Sequence, residues 1–210
     1  MIYETPELAR RRLAELGISV EALQKAVAAG HAARVSTTEN DAPQIPGTHA
    51  WGMTLRVLRD ELCDLRGWRK DDPGNFSLTI NDSRQLNIVV ESGDRFTRVA
   101  HVSPRTKSLK GLFIEAAAIR NKHGHDFFPE TLSEELARAA TILNYKTYIL
   151  LIYITEDEYR AELSLPDEVE GNQIVSWFER IFIPDTSDVF DDIRAVPQED
   201  DIDIPVRRKA

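Results

Sequence analysis

The run YILLIYI at residues 148–154, followed by TEDE at 155–158 and YRAELSL at 159–165, decides the fold. The first segment is apolar almost throughout, the composition of a strand covered on both faces. The third alternates Tyr159, Ala161, Leu163 and Leu165 with Arg160, Glu162 and Ser164, the period of two of a strand with one buried face. With a short polar turn between them, they predict an antiparallel hairpin.

An earlier pair has the same form. Phe76, Leu78 and Ile80 alternate with Ser77, Thr79 and Asn81, NDSRQ turns the chain, and Leu86, Ile88 and Val90 return on one side. Upstream, Trp51, Leu55, Leu58, Leu62 and Leu65 recur at helical spacing, and Gly67 suits a helix end with Trp68 folding back on it. Cys63 sits beside that stripe as a small hydrophobe. Helices are also predicted near 111–122, from Thr131 onward where TLSE has capping-box spacing, and over about 172–180. Strand pairs separated by helices predict an α+β or α/β fold, a mixed sheet of at least four strands packed by helices.

Four segments follow. Residues 1–33 form an N-terminal helical hairpin: Pro6 opens the first helix, Gly17 ends it, Ser19 caps the second and Glu21 sits in its first turn. Residues 34–49 hold two prolines and no period and read as a linker, which leaves the hairpin semi-detached. Residues 50–183 are the sheet-and-helix core. Residues 184–210 carry eight acidic residues against four basic ones and read as an acidic, flexible or surface-draped tail.

With 210 residues, 42% hydrophobic and 29% charged, the chain has the composition of one folded domain. The start, MIYETPELARRRL, has no apolar segment behind its charges, and 148–154 is too short to cross a bilayer. A single cysteine suits a reducing compartment. These features predict a cytoplasmic protein with no membrane partner.

No GxxxxGK[ST], GxGxxG, GxSxG or HExxH motif occurs, which lowers the common nucleotide and serine hydrolases. Against a net charge of −9, residues 93–125 hold seven basic residues and two acidic ones. Within this island, Arg95, Arg98, Arg105, Thr106, Lys107, Ser108, Lys110 and Gly111 lead into a predicted helix N-terminus, where free amides and the dipole attract anions. Arginine offers a bidentate fork, lysine a point charge and the hydroxyls donors. The first reading is therefore a binding domain for a phosphate-bearing ligand, a nucleotide or a nucleic-acid end. Phe96, Phe127 and Phe128 interleave with the island as bases would require, or as core.

The second reading is a metal-dependent, nuclease-like enzyme in which the strand-end carboxylates Glu91, Asp94 and Glu162 hold magnesium or manganese. The E-x-K or D-x-K tripeptide of such cores is absent, and the competing reading has Asp94 capping a turn and Glu162 pairing with a cation. His123 and His125 supply two imidazoles but lack the further ligands zinc needs, so no metal set is assigned. The third reading is a non-catalytic subunit whose N-terminal hairpin docks on a protein partner or a second copy. The tail and island, opposite in charge, are expected to associate, the tail's acids competing with an anionic ligand.

Overall fold

In the computed structural model of the chain, residues 1–63, 67–73, 76–106, 145–170 and 173–185 are described. Local capping signals build the helices where they were expected. In α1 (Pro6–Leu16), Thr5 accepts from the Leu8 amide and Gly17 closes the helix in the left-handed region at φ 70°. In α2 (Val20–Val35), the Ser19 hydroxyl accepts from the Ala22 amide. The expected linker is shorter than its composition implies, because α2 runs on through Arg34 and Val35 and α3 (Ile45–Cys63) begins at Ile45. Pro46 lies in the first turn of α3, where a missing N–H removes no intrahelical bond.

α2 and α3 cross closely at Gly30, where an added Cβ would lie 2.0 Å from Thr54 Oγ1 and 2.8 Å from the Ala50 carbonyl oxygen. Nothing larger than glycine fits. Ala9, Leu13, Leu23, Ala26, Val27, Leu58 and Leu62 share one apolar cluster with the sheet residues Ile88, Tyr148, Leu150 and Leu163. The helical hairpin thus packs directly on the sheet, rather than standing apart as its loop suggested.

The sheet has seven strands in the order β1-β7-β6-β5-β4-β3-β2. They are β1 (Ile2–Tyr3), β2 (Trp68–Asp71), β3 (Leu78–Asn81), β4 (Leu86–Ser92), β5 (Lys146–Ile154), β6 (Tyr159–Glu170) and β7 (Gln173–Phe182). Both predicted hairpins form, with Thr79 opposite Ile88 and Leu150 opposite Leu163. β4 and β5 lie side by side in parallel, and β1 is parallel to β7; the other pairings are antiparallel. The chain is an α+β protein with a mixed sheet. No helix among the described residues is long and apolar enough to cross a membrane.

One expected helix is a strand. The segment expected as a helix over 172–180 is strand β7, because Ile174, Trp177, Phe178 and Ile181 satisfy helical spacing in sequence while β6 and β1 supply hydrogen-bonding neighbours on both sides. Register shifts around Pro166 let β6 continue past its own proline. Trp68 starts β2 opposite Asn81 and is buried in the same apolar cluster as Leu58 and Leu62 of α3. The helices expected near 111–122 and from Thr131, and the tail beyond Asp185, lie outside the described residues.

One polar network bridges α1 and the sheet. Arg12 pairs with Glu179 through Nε and donates from Nη2 to Glu179 Oε2 at 3.1 Å, while the buried Tyr148 hydroxyl donates to the same oxygen at 2.7 Å. Burial works to raise the Glu179 carboxyl, but the hydrogen bonds from Arg12 and Tyr148 outweigh it and hold the group below the usual carboxylate range. Burial, then the bond to Glu179, pushes the Tyr148 phenol up. A depressed carboxylate stabilises the fold above its unfolded pKa of about 4.3 and loses that contribution as pH falls. Glu179→Gln should cost about 1–3 kcal/mol at neutral pH. In urea titrations the gap from wild type should close as the pH is lowered from about 5 to 3; a gap independent of pH would contradict this account.

Candidate functional site at the ends of the parallel strands

Parallel strands β4 and β5 end on the same edge of the sheet, at Ser92 and Ile154. The carboxyl ends of parallel neighbours are where open mixed sheets leave room for a ligand. Just past β4, the Gly93 amide donates to the Ile152 carbonyl at 2.7 Å, and Gly93 pairs with Thr106 in an isolated bridge that closes the loop between them. A Cβ on Gly93 would lie 2.3 Å from Thr97 Oγ1 and 2.7 Å from Leu151 Cγ, so only glycine lets the loop fold back this tightly.

The loop over 94–105 is held by polar bonds. Asp94 Oδ1 accepts from the Phe96 amide at 2.9 Å, and the Asp94 carbonyl accepts from the Thr97 hydroxyl at 2.8 Å. Below the loop, Arg180 donates to Glu162 through Nε at 2.9 Å and Nη2 at 2.7 Å; both residues are buried, Glu162 completely. Arg180 Nη1 then donates to the carbonyls of Val99 and Val102 at 3.1 and 2.9 Å. Glu162 also accepts from the Arg98 amide at 2.7 Å and the Ser164 hydroxyl at 2.8 Å. At the far end, Trp177 Nε1 donates to the Pro104 carbonyl, and the Thr106 hydroxyl accepts from the Ile174 amide.

Between this loop, the end of β5 and the helices lies a cleft of about 510 Å³, lined by Arg34, Gly47, Ala50, residues 92–96 and residues 152–155. Arg34 comes from the last turn of α2, and its Nε is buried with no hydrogen-bond partner among the described residues. The Arg95 guanidinium lies 4.9 Å over the Phe96 ring, and Arg160 Nη2 fixes the Arg95 carbonyl at 3.1 Å. Gly47 and Ala50 bring the first turns of α3, the positive end of its dipole, to the same cleft. Among the described residues that line the cleft, Asp94 is the one carboxylate, and one of its oxygens is engaged in the turn.

The residues singled out from sequence separate here. Arg95 and Asp94 line the cleft. Arg98 pairs with Asp185 at 2.6 Å, the first acidic residue of the tail. Arg105 is exposed and lends its carbonyl to the Asp94 amide, whereas Thr106 is buried in the bonds to β7. Glu162 answers a cross-strand cation, Arg180, and Asp94 caps a turn, the structural roles that competed with metal binding. Glu91 lies on β4 opposite Leu151. Among the described residues, no group of three or more His, Cys, Asp or Glu is placed to hold a metal ion. Lys107, Ser108, Lys110, Gly111, His123 and His125 lie outside the described residues.

Sequence reasoning missed Arg34 and Arg180. Arg34 fell in a supposed linker and Arg180 in a supposed helix, and no spacing in the chain relates either to residues 94–105. Comparison with family models, curated proteins and solved structures finds no match to this chain.

Glu162→Gln should cost about 3–5 kcal/mol, since it strands a buried guanidinium. Glu162→Gln combined with Arg180→Met should cost less than the sum of the single changes. Hydrogen exchange should show amides of 94–102 losing protection in every variant that removes Arg180; retained protection would show that the loop does not hang on this pair.

Proposed function

We propose that this protein binds a small phosphate-bearing ligand, such as a nucleotide, in the cleft at the ends of β4 and β5. The reading is carried by one observation: Arg34 and Arg95 line the same cleft, and among the described residues neither guanidinium has a carboxylate partner. The chain is acidic overall, with 35 Asp and Glu against 26 Lys and Arg, and Arg12, Arg59, Arg69, Arg98, Arg160 and Arg180 are all paired with acids. Two cations left without such partners at one concave site are available to an anion. Guanidinium forks match phosphate oxygens, and the amino end of α3 adds a positive dipole.

The volume suits a mononucleotide better than a duplex. The net charge of −9 points the same way, since a polyanion would meet a repelling surface beyond the cleft. Phe96 and Tyr153 offer ring surface beside the cations.

Calorimetric titration with ADP and with inorganic pyrophosphate tests the reading. Arg34→Ala and Arg95→Ala should each weaken binding by about ten- to a hundredfold, the loss expected for a charge-assisted hydrogen bond. Arg105→Ala, outside the cleft, should leave it unchanged. No binding of either compound at millimolar concentration, or equal affinity in all variants, would overturn the proposal.

A further inference from the structure

Arg98 is a non-glycine residue in the left-handed region, at φ 61°. Such a conformation persists only where the surroundings fix it. Two carboxylates do so from different sides: Glu162 accepts the Arg98 amide at 2.7 Å, and Asp185 pairs with its Nη1 at 2.6 Å. Asp185 is itself placed by the body of the protein. The Ile183 amide donates to the Ala161 carbonyl at 3.0 Å, and the Pro184 carbonyl accepts from Gln24 Nε2 on α2 at 2.7 Å. The chain leaving β7 is thus tied to the sheet, then to a helix, and then to the loop that carries Arg95 and Phe96.

We infer that Asp185 is a positioning residue, a latch that sets the cleft loop through Arg98. Arg98 stands three residues after Arg95, and the Thr97 and Val99 amides that close the intervening turns donate to the carbonyls of Asp94 and Phe96. With the Arg98 side chain held, those turns keep Arg95 and Phe96 against the cleft. Without the latch, the loop retains Glu162 and Arg180 below it and the bonds from Arg160 and Trp177, but loses the tie through the Arg98–Asp185 pair. The latch and an anion in the cleft then favour the same loop conformation, so each strengthens the other. Association of tail and island at this point orders the site, rather than competing for it. The consequence for binding rests on the cleft reading above; the latch does not.

Hydrogen exchange of ligand-free wild type, Asp185→Asn, Arg98→Gln and the double variant tests the latch directly. Asp185→Asn should speed exchange at the Thr97 and Val99 amides about two- to fivefold, the scale of a partly exposed ion pair. Arg98→Gln should do the same, and the double variant should add nothing further. ADP affinity of Asp185→Asn should fall by a similar factor. Unchanged exchange in Asp185→Asn, additive effects in the double variant, or tighter ADP binding would overturn the latch. If wild type binds no ADP, the cleft reading fails, while the exchange rates still decide the latch.

Discussion

Glu162 and Arg180 lie diagonally across two neighbouring strands, both buried, in a bidentate pair. Such a pair gains little net stability, because desolvation opposes the attraction. Its effect is positional. Arg180 reaches past Glu162 to two carbonyls of the loop over 94–105, and Glu162 takes an amide from the same loop. None of the loop's apolar residues belongs to the buried clusters of the core. The cleft wall therefore depends on a charge pair in the sheet beneath it.

β7 carries such pairs to both sides of the sheet. Alternation sends Glu179 toward α1, where Arg12 and Tyr148 meet it, and sends Arg180 to the opposite face, where Glu162 waits. Adjacent residues of one strand thus anchor the helical layer and the cleft loop. A helix over the same residues would have put these side chains about 100° apart, with no partner common to the two faces.

The parallel alignment of β4 and β5 supplies the other condition. Their antiparallel partners, β3 and β6, run the other way, so β4 and β5 bring two carboxyl ends together beside the start of α3 and the end of α2. Gly30 permits the close crossing that sets those helices, and Gly93 permits the sharp exit of the chain from β4. The cleft arises from these three adjacent constraints: strand direction, helix crossing and a glycine turn.

What the chain determines by itself is local. Alternation at 76–90 and 148–165 specifies two hairpins, and Thr5, Gly17 and Ser19 specify where α1 begins and ends and where α2 begins, because these signals act over a few residues. The α+β class follows from them. The strand nature of β7, the start of α3 and the pairing of Arg180 with Glu162 were decided only by tertiary structure. Hydrogen-bonding neighbours override a helical spacing, and a charge pair formed across strands leaves no period in the sequence. Arg95 was legible as part of a cationic run. Arg34, 61 positions away, joins it only because two parallel strands end where two helices cross.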